Sequence, residues 1–310
     1  MKAVVYDTYG SADVLHIKDI PAPTPQKGQT RVEVHAVALN PKDVLVRKGK
    51  MRWLVGGERQ RTPGYDIAGV LLDDANGLPA GTEVFGMIQS NHGGGCAEIV
   101  SLPCDQVAAK PTSLSMVEAA SLPLAGMTAL QALRDELLLQ EGQTVLLNGA
   151  SGGVGTLAVQ LCNALGGKST AVCSSRNLPL VQELGAAEVI DYTQESPSER
   201  RSLDAIFDIF GSLPWEIARH SLVKGGRYCT AIPKPKTILR GGLRRLGLHR
   251  AALVVVKSRR SDLDVLCDLV EKEKLRPVVE KVLSMEESAE GHRHLETKRT
   301  RGKVVVRVKE

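Results

Sequence analysis

Aromatic side chains are scarce: two Trp, five Tyr and three Phe, 3% of 310 residues. The flat faces this leaves for a planar ligand are few, and Trp53 and Phe210 head them. No apolar run approaches the roughly 20 residues needed to cross a bilayer, so no membrane partner is expected. Asp7 and Gly10 stand where a signal peptide would keep its apolar core. The six cysteines show no C-x-x-C spacing and read as reduced thiols of a cytoplasmic protein. The net charge of +5 is mild. Its one concentrated source is the segment from Lys234 to Arg260, with Lys236, Arg240, Arg244, Arg245, Arg250, Lys257 and Arg259. No aromatic residue interleaves these cations, which suits a solvated face or an anion-attracting rim and not a nucleic-acid surface.

What is present is a strand, a glycine turn and a helix in immediate succession. Thr144-Val145-Leu146-Leu147-Asn148 is a short apolar stretch, followed by Gly149-Ala150-Ser151-Gly152-Gly153-Val154-Gly155. Val154, Leu157, Ala158, Leu161, Cys162 and Leu165 then fall on one helical face, and Gly166-Gly167 ends it. A bound pyrophosphate needs this order: a tight turn, a backbone that approaches closely, and a helix N-terminus with free N–H groups. The next strand runs from Ser169 to Cys173 into Ser174-Ser175-Arg176, with no acid at its tip. Sites that prefer NAD usually place an Asp or Glu there, about 20 residues past the glycines. Two hydroxyls and a guanidinium suit a 2′-phosphate instead, so NADPH is the expected cofactor. The other reading makes Ser175 a helix cap and Arg176 a solvated cation.

At this length two domains with real cores are expected. Up to about residue 115 the chain reads as β, with period-two alternation in Arg31–Ala38. Strands are also expected at Ala3–Tyr6, Gly69–Leu72, Glu83–Ile88 and Ala97–Leu102. From Thr144 to Val256 strands and helices alternate, the pattern of a doubly wound parallel sheet. The strands expected there are 144–148, 169–173, 188–190, 204–209, 227–232 and 251–256. Helix is expected over Asp262–Glu273, then β patterns at Pro277–Leu283 and Lys303–Val308 that return to the first region.

End to end, the chain resembles the zinc-free quinone oxidoreductase branch of the medium-chain dehydrogenase/reductases, including zeta-crystallin and the chloroplast-envelope quinone oxidoreductase homologues. The motifs that carry the resemblance are Asn40-Pro41-Lys42-Asp43, Pro63-Gly64-Tyr65-Asp66-Ile67-Ala68-Gly69, Gly93-Gly94-Gly95-Cys96-Ala97-Glu98, Ala119–Ala129, the glycine turn, Leu184-Gly185-Ala186, Val189-Ile190-Asp191-Tyr192 and Gly302-Lys303-Val304-Val305. The resemblance implies an α/β architecture: a GroES-like β-rich catalytic domain (1–115 and 275–310) and a Rossmann NADP-binding domain (116–274). It places the active site in the cleft between them and implies a homodimer joined through Rossmann strands. It assigns the cofactor to Thr128, to Ser151, Gly152, Gly153 and Val154, to Ser174, Ser175, Arg176 and Tyr192, and to Gly211, Ile232 and Val255. It also sends Asn40 toward the reacting centre.

Zinc alcohol dehydrogenases carry a Cys at the position of Asn40, a His-Glu pair at Tyr65-Asp66, and a four-Cys lobe absent here. No clustered N and S ligand set is visible, and His292 and His294 read as surface histidines on different faces of a charged helix. No metal is therefore expected. Without a Lewis acid the acceptor must already be electrophilic, a quinone or an α,β-unsaturated carbonyl. Catalysis then rests on orientation and on donors near the developing enolate oxygen, with Asn40, Lys42 and Tyr65 as the polar candidates. Lys42 also reads as a solvated loop lysine, Tyr65 as a packing residue and Asp43 as a structural cap. A different class of function, an NADPH-binding sensory or RNA-associating protein with little turnover, is the alternative, kept by the basic segment.

Overall fold

The computed structural model describes residues 1–245 and 249–309. The chain divides into two compact units, Met1–Leu124 with Lys257–Lys272 and Pro277–Glu310, and Ala125–Val256 with Glu273–Arg276. Of the basic segment, residues 246–248 and the side chains of Arg244 and Arg245 lie outside the described part.

The first unit is organised by the strand Gln29–Leu39, whose buried positions alternate along its first half and become continuous at its end. Alternation gives a sheet with one face to the core; a continuous run marks a strand covered on both faces. This strand pairs antiparallel with Asp66–Leu71, Ile99–Pro103 and Lys303–Arg307. The strand Val279–Ser284 lies parallel to Lys303–Arg307, so the C-terminal segment returns to the sheet that the N-terminal segment begins. Val34, Val37, Leu39, Ile67, Leu71, Val84, Val304 and Val306 fill its core. Gly69 is needed at one crossing, because a Cβ there would come within 1.9 Å of the Glu33 carbonyl oxygen.

The second unit is a six-stranded parallel sheet in the order Glu188–Asp191, Lys168–Cys173, Thr144–Asn148, Leu203–Asp208, Leu222–Thr230, Ala251–Leu253. The first three strands run backwards in sequence order and the last three forwards. The order therefore reverses beside Thr144–Asn148, and ligands of such sheets bind outside the carboxyl ends of the strands at that point. The glycine turn leaves this strand. The last expected strand is shorter than the sequence suggests: Val254 still donates its N–H to the Thr230 carbonyl, but Val255 is exposed.

One histidine departs from expectation. On the helix Ser288–Glu296, Ser288, Gly291 and His292 face inward, and His292 is fully buried, not a surface residue. His294 sits nearer the surface and pairs with Glu280 at 2.8 Å.

Candidate functional site

In the second unit the glycine turn is tied down before the helix begins. Gly149 and Ala150 both donate their N–H groups to the Val172 carbonyl, and Gly149 adopts φ +97°. The helix Gly153–Ala164 starts with Gly152 as its N-cap and no side-chain capping bond. Ser151, Gly152, Gly153 and Val154 are partly exposed, and no side chain caps the N–H groups of the helix's first turn. Gly155 fits by necessity: a Cβ there would lie 2.2 Å from the Gly149 oxygen. Asn177 Nδ2 donates to Ser151 Oγ at 3.0 Å and to Ser174 Oγ at 3.4 Å. This asparagine, not foreseen from sequence, links the glycine turn to the tip of the second strand.

At that tip the structure adds an acid from the neighbouring strand. Asp191 ends Glu188–Asp191, in register with Cys173, and accepts hydrogen bonds from Ser175 Oγ and from Thr193 N and Oγ1. The bonds from Ser175 first, then Thr193, hold its carboxyl below the usual range. The tip of the second strand itself carries no acid, yet a carboxylate stands one strand over. Ser175, Arg176 and Tyr192 are all exposed beside it.

The sheet's switch point is braced by Asp208, another residue that sequence reasoning missed. Its Oδ1 accepts from Asn148 Nδ2 at 2.7 Å and from Gly211 N at 2.8 Å. Its Oδ2 accepts from Leu213 N and Tyr228 Oη, each at 3.1 Å. Burial pushes this carboxyl up, and the four donors oppose that. The network fixes the loop at Gly211, whose φ is +80° and where a Cβ would meet Ile232 at 2.7 Å. Gly211 thus lies against the Ile232 side chain, and Lys234 Nζ donates to the Gly211 carbonyl at 3.0 Å. Thr128 is buried on the helix Pro123–Gln131, and Val255 stands exposed past the last strand.

In the first unit Asn40, Asp66 and Lys303 form a buried triad. Lys303 Nζ donates to Asn40 Oδ1 at 2.7 Å and to Asp66 Oδ2 at 3.0 Å. Asn40 Nδ2 donates to Asp66 Oδ2 and to the Ala38 carbonyl, and Asp66 Oδ1 accepts from Leu124 N. The Asn40 amide is spent inside the protein. Asp43 caps the same loop, accepting from Asn40 N and Gly64 N, and burial pushes its carboxyl up to about 6. A zinc ion does not fit the Asn40–Asp66–Lys303 triad: none of the three is a Cys or His, and a lysine ammonium already occupies its oxygen acceptors. Among the described residues, no group of three or more His, Cys, Asp or Glu is arranged around a metal position.

Lys42 and Tyr65 come together beside that triad. The Lys42 ammonium lies 4.0 Å from the centroid of the Tyr65 ring and donates to the Ser90 carbonyl at 3.1 Å. Burial moves Lys42 below its ordinary pKa and Tyr65 above its own. Tyr65 Oη donates to the Asn91 carbonyl, so its proton is already engaged.

Comparison with known proteins agrees with both halves. Residues 26–112 match the family described as "Alcohol dehydrogenase GroES-like domain" and residues 184–306 that described as "Zinc-binding dehydrogenase". The chloroplastic quinone-oxidoreductase of Triphysaria versicolor is 32% identical, over 99% of this chain and 98% of its own. The NADPH-dependent alkenal/one oxidoreductase of Arabidopsis thaliana is also 32% identical, over 99% of this chain and 79% of its own. Among solved structures, the quinone oxidoreductase of Coxiella burnetii superposes with a TM-score of 0.88 at 30% identity, covering 100% of this chain and 99% of that one. The chain belongs to the medium-chain dehydrogenase/reductase superfamily, with the quinone oxidoreductases and enone reductases as its relatives.

Proposed function

We propose that this protein is a zinc-free, NADPH-dependent reductase of quinones or 2-enones. As a member of an NAD(P)H-using oxidoreductase superfamily it takes a nicotinamide cofactor, which when bound supplies a hydride. The observation that carries the reading is the turn Ser151–Val154 at the sheet's switch point, where no side chain caps the helix that follows. The residues assigned to the cofactor are Thr128, Ser151, Gly152, Gly153, Val154, Ser174, Ser175, Arg176, Tyr192, Gly211, Ile232 and Val255. Asp208 and Asn177 hold the loops that present them.

On the acceptor side we assign Lys42 as the polar group that meets the oxygen where negative charge develops. Tyr65 holds its ammonium, and Asn40 acts as a positioning residue through Asp66 and Lys303. Reduction of an enone adds a hydride at the β-carbon and a proton at the α-carbon. The chain's contribution is orientation and a cation near the enolate oxygen. The donor set at Asn40, Tyr65 and Asp66, which offers no Cys or His to a Lewis-acid metal, supports zinc independence. A homodimer joined through strands of the second unit is part of the same proposal, checked by the mass of the particle in solution.

Asp191 favours a second reading, in which a ribose 2′-hydroxyl is recognised and NADH serves. Replacing Arg176 with Ala decides between them. NADPH dependence predicts a rise in KM for NADPH of about tenfold or more, the scale of one charge-assisted contact, with NADH little changed. An equal loss for both cofactors contradicts it. Product analysis sorts the chemistry: a saturated ketone marks a two-electron enone reductase, a semiquinone radical a one-electron quinone reductase.

A further inference from the structure

The stretch Ala231–Arg260 holds nine of the forty Lys and Arg residues and none of the thirty-five Asp and Glu, so the rest of the chain is net negative. Within it the helix Pro235–Arg245 packs on the strand Ala251–Leu253. Two residues four apart set the helix's inner side. Thr237 Oγ1 donates to the Ile232 carbonyl at 3.0 Å and accepts from Lys234 N at 2.7 Å. Gly241 lies against Leu253, whose Cβ would stand 3.5 Å from a Cβ added to the glycine.

The outer side carries Ile238, Leu239 and Gly242, all exposed. Ile238 is 53% and Leu239 66% exposed, so two large aliphatic side chains stand together in water. A single exposed aliphatic residue needs no explanation; an adjacent pair within an acid-free basic stretch is a different matter. Lys234 and Lys236 are exposed at the helix start, and Arg250 is exposed at the strand that follows. Arg240 is half-buried and pairs with Glu216. Crossing a bilayer takes a long apolar helix, which the described residues do not supply. Lying in its surface takes only an apolar side with cations beside it.

We propose that the outer side of the helix Pro235–Arg245 docks the protein on an anionic phospholipid surface, with Ile238 and Leu239 entering the acyl boundary and the neighbouring cations meeting the headgroups. Charge complementarity selects this occupant: an acid-free basic stretch is matched by a negatively charged surface. A second copy of the chain is a poor cover, because a two-fold contact here would set the two basic stretches against each other. A nucleic acid would meet aliphatic side chains where its bases need aromatic faces to stack on. The docking goes beyond the reductase reading and does not rest on it.

The full chain is sedimented with vesicles of phosphatidylcholine alone and of phosphatidylcholine with about a quarter phosphatidylserine. It is expected to partition onto the anionic vesicles at least about tenfold more strongly than onto the neutral ones, and salt should narrow the difference. The double substitution Ile238→Gln/Leu239→Gln should weaken partitioning onto the anionic vesicles by about tenfold or more, the scale of two aliphatic side chains left in water. Lys236→Gln should weaken it by about fivefold, the scale of one cation at a charged surface. Both variants change exposed side chains, so their melting temperatures should match the wild type. Equal partitioning onto both vesicles, or partitioning that neither variant weakens, overturns the proposal. So does a fall in the particle's mass in solution caused by the double substitution, which would mean that a second copy covers this side. Retention on a single-stranded RNA at a salt concentration that releases the anionic vesicles overturns it in favour of nucleic acid.

Discussion

Among the described residues, neither ring nitrogen of His292 has a hydrogen-bond partner, and the side chain is fully buried. Burial, and then the Arg47 guanidinium nearby, push its pKa down from 6.5 to about 3. The folded protein therefore refuses a proton that the unfolded chain accepts. Stability is lost as pH falls from about 6.5 toward 3, at up to about 1.4 kcal/mol per pH unit. Asp43, whose pKa is raised, has the opposite sign over part of that range, so the test is a difference. His292→Leu is expected to match or exceed the wild type in melting temperature at pH 7, since it removes two unsatisfied buried nitrogens. Its advantage should widen steadily below pH 6.5; a constant difference across pH 4 to 8 contradicts the account. Neither this burial nor the Asn40–Asp66–Lys303 triad was legible residue by residue. The periodicity of a charged helix does not say which polar residue its inner face must take. Lys303 meets Asn40 across 263 positions of sequence.

At the scale of single elements the sequence was far more legible. The strand Thr144–Asn148, the turn and its helix stand where their apolar pattern and glycines put them, because each glycine answers a local steric demand. Gly155→Ala is the sharpest check: its Cβ would press on the backbone of Gly149 and Ala150. Such overpacking costs about 1–3 kcal/mol, so the variant should melt several degrees lower and bind NADPH at least about tenfold more weakly. Unchanged affinity by fluorescence titration removes the turn from the cofactor site. Asp191 shows where element-level reading stops. It lay inside a quoted motif, yet its nearness to Ser175 depends on which strand lies beside the second one, a matter of sheet order and not of local pattern.

For the molecule as a whole, the C-terminal strand is a structural member of the first unit and not an appendage. Lys303–Arg307 pairs with Gln29–Leu39, and Lys303 neutralises the buried Asp66. Removing one partner of a buried ion pair leaves an uncompensated charge, at a cost of about 3–5 kcal/mol. Lys303→Met should therefore unfold at markedly lower denaturant concentration, and the double variant Lys303→Met/Asp66→Asn should recover most of the loss. A single variant as stable as the wild type contradicts the role given to this pair.

The most direct test of the central claim is NADPH oxidation followed at 340 nm, with NADH as control. The acceptors are 1,4-benzoquinone, 9,10-phenanthrenequinone and short and long 2-enones, assayed with a chelator present throughout. A metal-independent reductase that prefers NADPH predicts turnover with at least one acceptor, faster with NADPH than with NADH and unaffected by the chelator. Silence across the panel while NADPH still binds, or activity that the chelator abolishes, contradicts it.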